Sequence, residues 1–134
     1  MEVDGDRVAA VGAGLLVLVA AGVGDGPGQA ADLAGKVSRL RIFADSEGRM
    51  NRSLTDVGGE ALVVSQFTLY ADVSRGNRPG FTGAAPPELG AHLVDAFAAE
   101  LRSLGIPVAT GRFGAHMRVH LVNDGPVTIW LDLP

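Results

Sequence analysis

The apolar positions along the chain follow two different periods, which separate strands from helices. Residues 14–19 and 61–69 are almost continuously apolar, and branched side chains are frequent in both, which predicts buried strands. Residues 29–43 and 86–104 instead repeat their apolar positions every three or four residues. That spacing places the apolar side chains on one face of a helix, so it predicts two helices.

The second predicted helix has the clearer boundaries. Pro86 and Pro87 precede its apolar stripe, and proline is favoured in the first turn of a helix. Gly105 follows the stripe, and glycine commonly ends a helix. The side chains predicted to form its buried face are Leu89, Leu93, Phe97, Leu101 and Leu104.

Shorter strands are predicted at both ends of the chain. Residues 1–10 suggest two strands around a tight turn at residues 4–6. Towards the C-terminus, strands are predicted at residues 108–110, 115–122 and 126–131, with polar loops at residues 44–59 and 72–85. About six strands and two helices result, and the economical description is one α+β domain over residues 1–134.

The composition excludes several classes of protein. Apolar residues make up 47% of the chain and charged residues 19%, as in a compact globule. The chain has no cysteine, which excludes disulfides, thiolate catalysis and thiolate metal sites. Its longest apolar run, residues 15–21, is far shorter than the roughly 20 residues of a membrane span. A cytoplasmic protein with no membrane partner is expected.

The charge pattern limits the nucleic-acid partners. The net charge of −4 argues against broad binding of a nucleic-acid backbone, so DNA is not expected as a partner. This net charge remains compatible with contact to one terminal nucleotide. Ten of the eleven cationic residues are arginine, whose forked guanidinium suits phosphate.

No complete set of catalytic side chains can be assembled from the residues alone. Ser65 and Thr68 are the best-placed hydroxyls, but strand alternation would put them on opposite faces, and no histidine motif accompanies them. His116 and His120 would lie roughly 13 Å apart along a strand, too far for one metal ion. No metal site is therefore expected. The Gly125–Pro126 pair fits a turn between two strands, and spacing alone favours that interpretation over a cis peptide.

Two segments change this picture. Residues 65–70 (Ser-Gln-Phe-Thr-Leu-Tyr) and 123–128 (Asn-Asp-Gly-Pro-Val-Thr) resemble the motif pair of D-aminoacyl-tRNA deacylases. Further segments are similar to the same family, namely residues 40–43, 50–54, 57–60, 78–81 and 110–115. The resemblance runs in order and nearly without gaps from about Val3 to the C-terminus.

The resemblance implies a fold, an activity and a set of partners. The implied fold has β/β/α layers around a barrel-like sheet. The implied enzyme is a homodimer that hydrolyses the ester of D-aminoacyl-tRNA, and of mischarged glycyl-tRNA, without a cofactor or a metal. Its active site lies at the dimer interface and binds the 3′-terminal adenosine end of the aminoacyl-tRNA.

The resemblance also implies roles for individual residues. The Gly125–Pro126 peptide is expected to be cis and to enter the partner subunit's pocket, where its carbonyls hold the α-amino group and leave no room for an L side chain. The tRNA 2′-hydroxyl would assist attack on the ester. The implied catalytic positions are Gly125, Pro126, Thr68 and Ser65, with Thr68 in a positioning role. The implied substrate-binding positions are Gln66, Phe67, Phe81, Phe113, Gly114 and Met117, the last of which also fits a core residue.

The chain departs from the family pattern in two places. Relatives begin with a further strand that contains a Gln-Arg pair, before the segment that matches residues 3–5. A misassigned start codon or a truncated relative would explain this, and the intact motifs favour the first explanation. Relatives also usually carry serine where this chain has Gly80. The alternative function is a truncated, non-catalytic dimeric module that binds the aminoacyl-adenosine end without turnover.

Overall fold

The computed structural model describes residues 1–133 and contains eight strands, three α-helices and one 3₁₀ helix. The strands are β1 (Glu2–Val3), β2 (Asp6–Arg7), β3 (Gly14–Val19), β4 (Phe43–Ala44), β5 (Met50–Arg52), β6 (Glu60–Ser65), β7 (Val108–Thr110) and β8 (Met117–Arg118). The helices are α1 (Pro27–Arg39), α2 (Leu54–Val57), the 3₁₀ helix Phe67–Tyr70 and α3 (Pro87–Ser103).

The central sheet is parallel, with the strand order β3-β6-β7. Parallel neighbours need long crossover connections, which usually contain a helix. Here α1 lies in the connection from β3 to β6, and α3 in the connection from β6 to β7. A second sheet, β2-β1-β8, is antiparallel, and β4 pairs with β5 in a separate hairpin.

Two apolar cores lie on opposite faces of the central strand β6. Val63 packs with Ala34, Phe97 and Leu101 in the core between the sheet and the two long helices. Its neighbours Leu62 and Val64 belong instead to the core that includes Met1 and, from the antiparallel sheet, Val3. Successive side chains of a strand point to opposite faces, so β6 supplies both cores. The predicted layered α+β fold with two main helices is confirmed.

The two long helices begin and end close to residues that favour helix ends. Helix α1 begins at Pro27, and the amide of Gly26 donates to Oε1 of Gln29 at 2.9 Å. It ends at Arg39, four residues before the predicted end, because Leu40 leaves the helical region with φ −57° and ψ 128°. Helix α3 ends at Ser103, one residue before the predicted end at residue 104, and Gly105 follows with φ +87°. Within residues 1–133 no helix combines the length and the hydropathy that crossing a bilayer requires.

The prediction of a polar loop over residues 44–59 was wrong. The segment contains β5 and the one-turn helix α2. Ser53 caps α2, because its Oγ accepts from the amide of Asp56 at 3.1 Å and the Asp56 carboxylate accepts from the amide of Ser53 at 2.9 Å. This reciprocal pattern at a spacing of three is a capping box, and it was the signal available in the sequence.

Replacement of Ser53 by alanine is expected to lower the free energy of unfolding by about 1 kcal/mol, since one amide of α2 loses its acceptor. Urea denaturation measures the change. Ser46→Ala is the matched control, because Ser46 is exposed in the β4–β5 turn. Equal midpoints for the two variants would contradict a stabilising role of the cap.

The same cap is expected to make stability depend on pH. The amide of Ser53, followed by its hydroxyl, lowers the pKa of Asp56 below 3.8. A depressed carboxyl pKa stabilises the fold above the unfolded-state value, and that contribution disappears as pH falls through the folded-state value. The difference in urea midpoint between the wild type and Asp56→Asn should therefore be present at pH 6 and shrink below about pH 4. A difference that stays constant down to pH 2 would contradict this assignment.

The C-terminal segment forms fewer strand pairings than its alternation of apolar and polar residues predicts. Of the predicted strand at residues 115–122, only β8 pairs, with β1, and residues 126–131 form no strand within the described chain. Alternating apolar residues make a strand only where a neighbouring backbone supplies hydrogen-bond partners. The segment therefore exposes large apolar side chains, with Val122 at 89% and Trp130 at 66% exposure.

Candidate functional site

The chain changes direction directly after β6, and this turn shapes the first part of the site. Ser65 is the last residue of β6 and pairs with Val19. The amide of Gln66 donates to the carbonyl of Val19 at 2.9 Å, and the 3₁₀ helix Phe67–Tyr70 follows. The prediction of a strand through residue 69 was wrong, because β3 also ends at Val19 and offers no further partner. The prediction that Ser65 and Phe67 lie on one face of a strand, with Gln66 and Thr68 on the other face, is therefore wrong too.

The helical turn brings Gln66 and Thr68 together. The side-chain amide Nε2 of Gln66 donates to Oγ1 of Thr68. Thr68 is exposed and its Oγ1 accepts this hydrogen bond, so the hydroxyl hydrogen can still be donated to a ligand. This hydroxyl is held in a fixed orientation by a neutral amide, not by a base, which suits positioning better than nucleophilic attack.

Phe67 and Phe81 form an aromatic pair beside this turn. Their ring centroids lie 4.9 Å apart with an interplanar angle of 65°, an edge-to-face contact. Two hydrogen bonds between Asp72 and Gly80 close the intervening loop and return the chain to Phe81. Phe67 is 56% exposed, so part of its ring is available for a ligand.

A small cavity joins Ser65 to Phe113. Its volume is about 30 Å³, and it lies between β6, β7 and α3. The ring of Phe113 packs against Gly90 of α3, where an added Cβ would lie 3.5 Å from Cζ of the ring. Met117 packs on Gly111, a lining residue, and lies partly buried against the second core, in line with the core interpretation that the sequence also allowed.

The Gly125–Pro126 peptide is cis, as the resemblance implied. Both residues are exposed, and the loop is held by Asn123, whose Oδ1 accepts from the amide of Val127 at 3.3 Å. Gly114, with φ +75°, is exposed as well. Neither Gly125 nor Pro126 lines the cavity beside Ser65. One chain therefore presents the Gly-Pro loop to its surroundings and not to its own cavity.

A larger cavity of about 70 Å³ was not anticipated from the sequence. Tyr70, Asp25 and Asp132 supply polar groups to its lining, next to apolar side chains that include Leu93 and Phe97. Burial, and then the nearby carboxylates of Asp25 and Asp132, raise the pKa of the Tyr70 phenol. These residues are far apart in the chain and carry no common motif, so no signal in the sequence would have grouped them.

The described part of the chain offers no cluster of metal ligands. Among residues 1–133, no group of three histidine, cysteine, aspartate or glutamate side chains is placed to hold an ion. Nε2 of His120 lies 3.4 Å from Oε2 of Glu2, and this contact links the segment after β8 to β1.

The chain is similar to known proteins over almost its whole length. The family model described as D-Tyr-tRNA(Tyr) deacylase matches residues 1–132. The D-aminoacyl-tRNA deacylase of Roseiflexus sp. (strain RS-1) is 67% identical over 98% of this chain and 85% of its own. That of Ruegeria pomeroyi is 62% identical over 99% of this chain and 92% of its own.

The fold is also found among solved structures. The structure of the c-Myc DNA Unwinding Element Binding Protein superposes with a TM-score of 0.93 and 38% identity, covering 99% of this chain and 91% of that one. The family model spans residues 1–132, and the two relatives are 67% and 62% identical to this chain over most of their own length. This chain therefore belongs to the D-Tyr-tRNA(Tyr) deacylase family.

Proposed function

We propose that this protein is a hydrolase that cleaves the ester bond of D-aminoacyl-tRNA and releases the free D-amino acid and the tRNA. The observation that carries the proposal is the match of residues 1–132 to the deacylase family, with relatives of that activity covered over most of their length. Such an enzyme removes D-amino acids before they enter translation, which is a proofreading role, and it acts in the cytoplasm.

The reaction needs few catalytic side chains. An aminoacyl ester is already activated, so water can attack once the ester is oriented and the developing oxyanion is stabilised. The segment Ser65–Thr68 forms the floor on which the terminal adenosine rests, and the tRNA 2′-hydroxyl assists the attack. The hydrogen bond from Gln66 to Thr68 supports this assignment, since it fixes the hydroxyl without activating it as a nucleophile.

Chiral selection comes from main chain in this proposal. The carbonyls of the Gly125–Pro126 loop hold the α-amino group, and the loop occupies the space that an L side chain would need. Glycyl esters have no side chain and pass the same filter. The exposure of both residues supports the proposal, because a loop that acts in another subunit has to project from its own.

The active site requires two subunits. A cavity of about 30 Å³ in one chain has room for little more than one or two water molecules, not for an aminoacyl-adenosine. Large apolar side chains near the Gly-Pro loop are exposed, with Leu121 at 59%, Val122 at 89% and Trp130 at 66%. Contiguous exposed apolar surface marks an interaction site. A homodimer would cover this surface and bring the loop of one subunit to Ser65 of the other.

Hydrolysis of D-tyrosyl-tRNA tests the proposal directly. The purified protein should release D-tyrosine from radiolabelled D-tyrosyl-tRNA, release glycine from glycyl-tRNA, and leave L-tyrosyl-tRNA intact. Binding of D-tyrosyl-tRNA without release would instead identify a non-catalytic module, and equal rates for both enantiomers would exclude the chiral filter. Sedimentation at the assay concentration should give the mass of a dimer.

A further inference from the structure

The loop that joins the 3₁₀ helix to Phe81 carries two arginines. Its ends are closed by two backbone hydrogen bonds, from the Asp72 amide to the Gly80 carbonyl at 2.8 Å and from the Gly80 amide to the Asp72 carbonyl at 2.9 Å. The Asp72 carboxylate accepts from the Ser74 amide at 2.9 Å, and hydrogen bonds from Ser74 lower its pKa. The Asp72 carboxylate is therefore hydrogen-bonded at the base of the loop, whereas Arg75 and Arg78 are exposed farther along the loop.

The two guanidinium groups have no partner in the described part of the chain. Within residues 1–133, the one ion pair joins His120 to Glu2, and neither Arg75 nor Arg78 donates a side-chain hydrogen bond. Three other arginines do donate side-chain hydrogen bonds: Arg41 to Asn51, Arg52 to the Asp56 carbonyl and Arg102 to the Val108 carbonyl. Arg75 and Arg78 are therefore available to a ligand.

The backbone keeps both arginines close to the aromatic pair Phe67 and Phe81. Arg78 is two residues from Gly80, so the two Cα atoms are at most about 7 Å apart. Arg75 is three residues from Asp72, which limits that separation to about 11 Å. Asp72 follows the 3₁₀ helix that carries Phe67, and Gly80 immediately precedes Phe81. Positive charge and exposed aromatic surface thus belong to one short stretch of the fold.

This combination is typical of single-stranded nucleic-acid binding. Arginine forms forked, charge-assisted hydrogen bonds with phosphate, and aromatic rings beside such a charge accept bases. The protein as a whole carries a net charge of −4, so a polyanion is attracted only where positive charge is concentrated locally. We propose that Arg75 and Arg78 bind phosphate groups of the single-stranded 3′ end of the tRNA, on the 5′ side of the aminoacylated adenosine. This inference rests on the proposed function.

The test compares two substrates that differ in phosphate. D-Tyrosyl-tRNA carries the phosphates, whereas 3′-O-D-tyrosyl-adenosine has none. The double variant R75Q/R78Q should raise KM for D-tyrosyl-tRNA and leave kcat/KM for D-tyrosyl-adenosine unchanged. Because each phosphate contact on a single strand adds about 0.7 to the slope of log KM against log salt, the slope should fall by about 1.4. Between 50 and 200 mM salt, the wild type should then lose about sevenfold more affinity than the variant.

Two controls separate a phosphate site from a general charge effect. Arg7→Gln combined with Arg49→Gln removes the same charge from the β1–β2 and β4–β5 hairpins and should keep the wild-type slope. The double variant R75K/R78K keeps the charge and should retain most of the wild-type salt slope. An unchanged salt slope in R75Q/R78Q, or an equal loss with D-tyrosyl-adenosine, would overturn the inference. If the wild type hydrolysed neither substrate, the proposed function itself would fail.

Discussion

Replacement of Phe97 by alanine should destabilise the protein by about 4 kcal/mol, the largest effect on stability that we expect from one side chain. Phe97 is 1% exposed and lies in the core between α1, α3 and the parallel sheet. Its removal would leave a cavity that neighbours such as Leu101 and Val63 cannot fill without moving. Small domains have a total stability of about 5–15 kcal/mol, so the loss is a large fraction of it.

Leu89→Ala is the matched control for that measurement. Leu89 lies on the same helix and belongs to the same stripe in the sequence, yet it is 37% exposed. Its replacement should cost less than about 1 kcal/mol, as for other partly exposed sites. Urea denaturation of both variants gives the two values. Similar losses at the two positions would show that the core is not centred on Phe97.

Replacement of Gly125 by alanine should have the largest effect on selectivity. A Cβ at this position would lie 2.5 Å from the backbone nitrogen of Val127 and 3.0 Å from its Cγ2, so the loop has to shift. In the proposed enzyme this loop sets the position of the α-amino group in the partner subunit. A shift of about 1 Å in such an element costs about 100-fold in rate, so turnover of D-tyrosyl-tRNA should fall by that order. The preference for the D over the L ester should fall with it.

Gly28→Ala is the control for the glycine substitution. Gly28 lies in the first turn of α1, and a Cβ there would meet no atom within 4 Å. The control should keep the wild-type rate, because alanine fits at this helical position without displacing any atom. Full discrimination between D and L esters by a folded, dimeric Gly125→Ala variant would remove the loop from the mechanism.

The residues of the candidate site lie in separate parts of one chain, so spacing along the sequence does not group them into a catalytic site. Ser65 and Phe113 share a cavity within one chain, but Gly125 and Pro126 do not reach it. A 3₁₀ turn, which the apolar run of residues 61–69 conceals, brings Gln66 to Thr68. The loop closed between Asp72 and Gly80 brings Phe81 to Phe67. The site residues came from motif resemblance, because neither spacing nor periodicity groups them.

The sequence by itself determined the elements whose signals are local. The α3 boundaries follow from Pro87 and Gly105, and the β1–β2 turn follows from Asp4 and Gly5, both of which have positive φ. The order of apolar segments was enough for the α+β class, since the period of the apolar positions, which distinguishes strands from helices, depends only on neighbours along the chain.

Only the tertiary structure decided which backbones pair. The parallel order β3-β6-β7, the end of β6 at Ser65 and the short β8 all depend on where a neighbouring strand supplies hydrogen bonds. The same holds for burial, because Leu89 and Phe97 share one helical stripe and only one of them faces the sheet. Long-range pairing and packing join residues that are distant in sequence, and no local pattern records which of them meet.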